Sequence, residues 1–208
     1  MSRKETAMKR AIIGALAILI ATLPAALHGQ SATPADGMAA GGPIAPQTPG
    51  EAIQEWSRVA RAAALVMISK YGEPEDFGTK ALVWNSNGPW RQTIVSREPK
   101  MHRAVMSDKD YVRQSVNFVV PPGKVASLRS FDKRIDVDTA KNELSSQTES
   151  EDMNYLVLNL AVDIVKGKRS AAQARAFYIK TAELANSGKT SAYLQGLLFQ
   201  KPPSDDDY

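Results

Sequence analysis

The stretch Met153–Val165, MNYLVLNLAVDIV, is apolar on nearly every side of a helical wheel. A helix of that kind is stable only when other elements surround it, so it must occupy a central, largely buried position. Thr148-Glu149-Ser150-Glu151 has the spacing of a capping box before it, and Gly167 ends it. Lys166, Lys168 and Arg169 lie near the negative end of its dipole. The remainder of the chain therefore has to supply the layers that enclose this helix.

Those layers are readable in part. Thr48-Pro49-Gly50-Glu51 fits a capping box with proline at the first helical position, and Ile53, Trp56, Ala60, Ala63, Met67 and Ile68 recur at helical spacing. The pattern predicts one helix over 49–71, stopped by Tyr71-Gly72 and Pro74. Residues 80–85 and 90–98 read as a β-hairpin around the turn formers Asn85-Ser86-Asn87-Gly88-Pro89. Residues 108–118 read as a short helix, 125–131 as a helical turn or two, and 134–139 as a half-buried strand able to join the hairpin. Ser170-Ala171-Ala172-Gln173 is a further capping box before an amphipathic helix, and 190–199 reads as a last short one. The expected fold is α+β: a small antiparallel sheet of about three strands, covered on one face by helices.

The ends differ in composition from this domain. Met1–Arg10 is short and basic, Ala11–Ala21 has no polar residue, and Pro24, Ala25, Ala26 and Gly29 follow. That order is the signature of a secretory signal peptide over residues 1–30, with cleavage expected between Ala25 and Ala32. The apolar run is short for a transmembrane helix, which needs about 20 residues. The reading is a periplasmic or secreted protein with no stable membrane span after cleavage; a retained anchor holding it at the membrane surface is the alternative. Residues 31–48, rich in Pro, Gly and Ala, read as a flexible linker, 49–200 as one domain, and 201–208 as a loose acidic tail.

Charge and residue types then exclude several functions. Of 26 basic and 22 acidic residues, four basic and one acidic lie in the first thirty, so the rest is almost balanced. A nucleic-acid partner is excluded on that ground, since it requires many uncompensated cations. The absence of cysteine excludes disulfides, thiolate nucleophiles, cysteine-ligated metals and a lipidated N-terminal cysteine. No Gly-x-Ser-x-Gly elbow exists. Gly188-Lys189-Thr190 resembles the end of a P-loop, but Glu183 stands where the first glycine belongs and a helix precedes it. Export also removes an ATP pool.

Three groups of candidate residues remain. Trp84 and Trp90 flank the hairpin turn with Arg91 beside the second, a candidate surface for a small ligand or an envelope protein, although such pairs also stabilise hairpins. His102, with Glu98, Asp108 and Asp110, could supply ligands to a divalent metal, and a metal-binding protein or metal-dependent hydrolase centred there is the alternative function. Without a second imidazole, an exposed histidine beside helix-capping acids is the simpler account, so no cofactor is the primary expectation. Asp152, Asn159 and Asp163 form a polar stripe on the apolar helix. Its two acids lie ~16 Å apart along the axis, too far to act on one bond. Asn159 and Asp163 are expected to tie the helix to nearby backbone or to Arg134 or Arg175.

Ser69-Lys70-Tyr71-Gly72-Glu73-Pro74, Leu82-Val83-Trp84, Gly88-Pro89-Trp90, Val119-Val120-Pro121-Pro122 and the run from Met153 to Lys168 occur in that order. Together they resemble a family of uncharacterised exported bacterial proteins, over roughly residues 50–180. The resemblance implies export and offers no activity to carry over. It also implies a histidine in relatives where this chain has Asp108 and a cysteine where it has Thr148, so a metal or thiol site of theirs is incomplete here. The combined expectation is an exported envelope protein that acts by binding or as a structural accessory and is not an enzyme.

Overall fold

Six antiparallel strands make one sheet in the order β1-β2-β3-β4-β6-β5: β1 (Asp76–Phe77), β2 (Ala81–Asn85), β3 (Gln92–Lys100), β4 (Asp110–Asn117), β5 (Ile135–Asp138) and β6 (Glu143–Thr148). The structure is a computed structural model, and it describes residues 45–101 and 110–200. Six α-helices and one 3-10 turn (Pro122–Lys124) accompany the sheet among the described residues, the α-helices being α1 (Pro49–Ala52), α2 (Arg58–Tyr71), α3 (Val125–Phe131), α4 (Glu151–Val165), α5 (Ala171–Asn186) and α6 (Ala192–Gln195). The fold is α+β with an antiparallel sheet.

The sheet has twice the expected number of strands. Residues 108–118 were expected to form a helix, yet 110–117 are β4, paired to β3 on one side and β6 on the other. β4 lies between β3 and β6, and its residues from Asp110 to Val116 are buried or half-buried whichever face they are on, so it lacks the simple polar–apolar alternation that marks a half-exposed strand. Its Gln114 and Ser115 are as buried as Val112 and Val116. β6, ELSSQT, has Leu144 as its sole aliphatic residue, and no hydrophobic pattern announces it. β5 was expected beside the hairpin; it pairs with β6 instead and forms the sheet's edge.

Register aligns the inward-facing side chains in rows. Leu82, Val95 and Val112 are consecutive partners, as are Trp84, Thr93, Gln114, Ser146 and Ile135, and then Val116 and Leu144. All are buried. The other face carries half-buried Val83, Ile94 and Arg113, with Arg113 paired to Glu143 at 3.0 Å.

Two apolar clusters lie along the covered face. Ala60, Ala64 and Met67 of α2 pack with Leu82, Trp84, Val95 and Val112. Leu156 and Leu160 of α4 pack with Val116, Leu144 and Ile135, together with Leu128 of α3 and Ala174 and Tyr178 of α5. Tyr71 touches both clusters. Every residue of α4 from Met153 to Ile164 is buried, as its all-round apolarity requires.

The expected helix 49–71 is two helices. Ile53 caps α1, Trp56 turns inward to donate its indole N–H to the Thr79 carbonyl at 3.0 Å, and Ser57 starts α2 by accepting from the Ala60 amide. The apolar spacing is the same on both sides of the break, so periodicity does not reveal it. The start of α4 also differs from expectation. Thr148 ends β6, Ser150 is the cap and accepts from the Met153 amide, and Glu151 becomes the first helical residue. The box at Ser170 is reciprocal, with Gln173 bonding back to the Ser170 amide. The last helix is α6 alone, four residues within the expected 190–199. No helix among the described residues is long and apolar enough to cross a membrane.

Candidate functional site

Between the two apolar clusters runs a seam of buried polar side chains. Gln114 donates to Thr93 Oγ1 at 3.2 Å, and Asn87 donates to the same hydroxyl at 3.0 Å. Asn154, one turn into α4, donates to the Gln114 amide oxygen and to the Val112 carbonyl, both at 3.0 Å, and accepts from Ser146 at 2.7 Å. Buried polar groups must be satisfied, and this row pairs Thr93, Gln114, Ser146 and Asn154 across β3, β4, β6 and α4, leaving the Asn87 side-chain oxygen without a hydrogen bond among the described residues.

Glu151 closes the seam. Its side chain turns inward and the residue is 5% exposed. Oε1 accepts from the Trp90 indole at 2.6 Å, the Tyr71 hydroxyl at 2.5 Å and the Gln114 amide at 3.1 Å. Oε2 accepts from the Lys70 ammonium. One carboxylate thus fastens the last turn of α2, the turn leading into β3, the middle of β4 and the first turn of α4. Burial works against its charge, but the donors Lys70, Tyr71 and Trp90 outweigh it and hold the carboxyl below the usual glutamate range. Burial and the Glu151 charge push the Tyr71 hydroxyl up beyond the ordinary tyrosine range and Tyr155 up to about 12. Both phenols stay protonated at neutral pH, and Tyr71 remains a donor.

Three donors converge on Oε1 and Lys70 meets Oε2, so both oxygens of Glu151 are engaged. Ionised, buried and held by four donors, it is poorly suited to take a proton from a substrate; it holds other groups in place. Trp90 stacks on Tyr155 with centroids 4.8 Å apart, and the Lys70 ammonium lies 5.9 Å from the Tyr155 centroid.

Outside this hub opens a cleft of about 670 Å³. Lys70 at the end of α2, Asp152 and Tyr155 in the first turns of α4, Lys189 and Thr190 after α5, and Gln195 in α6 all line it. Burial and the neighbouring Glu151 charge raise the Asp152 carboxyl, with Lys70 acting in the opposite direction. The cleft therefore presents both signs of charge beside a buried aromatic stack, an arrangement suited to gripping a polar molecule.

The expected aromatic contact surface is corrected by the burial of its rings. Trp84 is 1% exposed and donates to the Gly72 carbonyl at 2.9 Å; Trp90 is 2% exposed beneath Tyr155 and Glu151. Large rings with a bonded N–H have become core. Arg91 points to the other side of the sheet, bonding Asn117 at 3.1 Å and facing Glu143 at 3.4 Å. Of the metal candidates, His102 and Asp108 lie outside the described residues. Glu98 has 86% of its side chain in solvent beside Arg97, whereas Asp110 is fully buried in the sheet. Among the described residues no group of three or more His, Cys, Asp or Glu side chains could hold a metal.

Asn159 ties α4 to the α6 region by donating to the carbonyls of Tyr193 and Gly196 and accepting from the Leu198 amide. Asp163 is paired, but with Arg169 at 3.0 Å and the Tyr193 hydroxyl at 2.6 Å. Arg134 instead grips Asp132, and Arg175 donates to the Ser130 carbonyl. Gly188-Lys189-Thr190 follows a helix and forms part of the cleft wall. Asp152 is the member of the polar stripe that reaches the cleft. Sequence reasoning missed Lys70, Gln114, Asn154 and Glu151. The available signal was an acid at the start of an all-apolar helix, which reads equally well as a cap.

The chain matches no family model, no curated protein and no solved structure.

Proposed function

We propose that this chain is an exported protein of the bacterial envelope that binds a small polar ligand in the cleft beside Glu151 and performs no chemistry on it. The observation that carries the reading is the pairing of an open, charge-lined cleft with a buried carboxylate behind its wall that holds the lining residue Lys70 and bonds Trp90. A wall fixed in advance loses little freedom when a ligand arrives. The cleft volume falls within the range of small-molecule sites. Export is supported by the basic, apolar, small-residue order of residues 1–30 and by the family resemblance.

Two measurements test the proposal. The mass of the protein recovered outside the cytoplasm should correspond to a chain starting near residue 30; an intact Met1 there contradicts cleavage. Amide NMR spectra of that product should be recorded with a panel of amino acids, tripeptides, simple sugars and dicarboxylic acids. At least one member should shift the amides of Asp152, Tyr155, Lys189 and Thr190 together. A panel that leaves all four unmoved, or shifts confined to the opposite face of the sheet, overturns the binding assignment.

A further inference from the structure

The charges around the cleft are not equivalent. Four ionisable side chains of charged type line it: Lys70, Glu149, Asp152 and Lys189. Lys70 is engaged by Glu151 beneath it. Glu149 faces Arg134 at 3.8 Å. The side chains of Asp152 and Lys189 make no hydrogen bond or ion pair with any other described residue. One carboxylate and one ammonium are left, and they come from different walls, the first turn of α4 and the loop that follows α5.

Each lacks what the other end of a ligand could bring. Asp152 stands next to the Glu151 carboxylate, whose negative charge outweighs the opposing Lys70 ammonium and makes a further cation the favoured neighbour. Lys189 projects from a loop opened by Gly188 at φ +74°, a backbone conformation glycine adopts without strain. Thr190 and Gln195 add neutral donors and acceptors to the lining, as an amide backbone needs. A dianion would meet Asp152 unfavourably, and a polycation would meet Lys189.

Resting on the binding function proposed above, we propose that the cleft selects a zwitterion, an amino acid or short peptide with free ends, whose ammonium pairs with Asp152 and whose carboxylate pairs with Lys189. Both pairs are partly open to water, so each is worth a modest factor.

The test is calorimetry on the chain from residue 30 onward, with trialanine, Ala-Lys-Ala and Ala-Glu-Ala, and with the N-acetylated and C-amidated form of each. The free tripeptide should bind about fivefold or more tightly than either blocked form. In Asp152→Asn the penalty for N-acetylation should vanish while that for amidation persists. In Lys189→Gln the reverse should hold. Circular dichroism of both variants checks that they fold. Blocked peptides binding as well as free ones overturn the inference, as does a penalty that neither variant removes. If no tripeptide binds but a sugar or dicarboxylate shifts the cleft amides, the inference fails and the binding function stands; if nothing in the panel binds, both fail.

Discussion

A carboxylate taken out of water has to recover its hydration from protein donors, and Glu151 recovers it from Lys70, Tyr71, Trp90 and Gln114. Glu151→Gln keeps the shape but removes the charge and turns one oxygen into a donor facing donors. The expected cost is about 2–4 kcal/mol in urea unfolding, from several charge-assisted bonds reduced by the half-exposure of Lys70; a loss under about 0.5 kcal/mol contradicts the hub. The sign of the pH dependence follows from the lowered folded pKa. Stabilisation by this group is full above the unfolded glutamate value of about 4.3 and is lost as pH falls through the lower folded value. Glu151→Gln should therefore flatten part of the acid limb of the stability curve. Asp152 has the opposite sign, because its carboxyl is raised in the folded protein. Its charge opposes folding above the folded pKa, so Asp152→Asn should melt no lower than the parent at pH 7, whatever it does to binding. A lower Tm contradicts the assignment of Asp152 as a group held for a ligand.

Asn159 joins α4 to the segment around α6 through three hydrogen bonds to backbone groups. Asn159→Ala leaves those groups unpaired in a half-buried place, at an expected cost of about 2–3 kcal/mol. Hydrogen exchange should accelerate over 193–198 and remain slow in β4 if the effect is local. The same elements mark where the sequence could be read and where it could not. α4 was legible because a helix apolar on every side admits one environment. The hairpin and β5 were legible because turn residues and alternation are local signals. β4 and β6 were not, since Gln114, Ser115, Ser145 and Ser146 are buried by sheet partners and by Asn154, and that pairing is a tertiary event. The break at Trp56 and the inward turn of Glu151 were hidden for the same reason: an acid in a first helical turn reads as a cap until the elements facing it are known.

At the scale of the molecule, two apolar clusters share one sheet face and meet at a polar seam. Apolar contacts of this kind are tolerant of small shifts, whereas hydrogen bonds to one carboxylate are directional. The seam therefore sets how α2 and α4 lie against each other, and with them the wall of the cleft that Lys70 and Tyr155 form. Everything proposed for the cleft depends on Glu151 being an ionised fastener and not a proton carrier. The most direct measurement is the carboxyl ¹³C shift of Glu151 followed from pH 8 into the acid range in the folded protein. The resonance should remain that of a carboxylate below the pH at which ordinary glutamates have titrated. A midpoint above the usual glutamate range would contradict the assignment and make Glu151 an acid–base group.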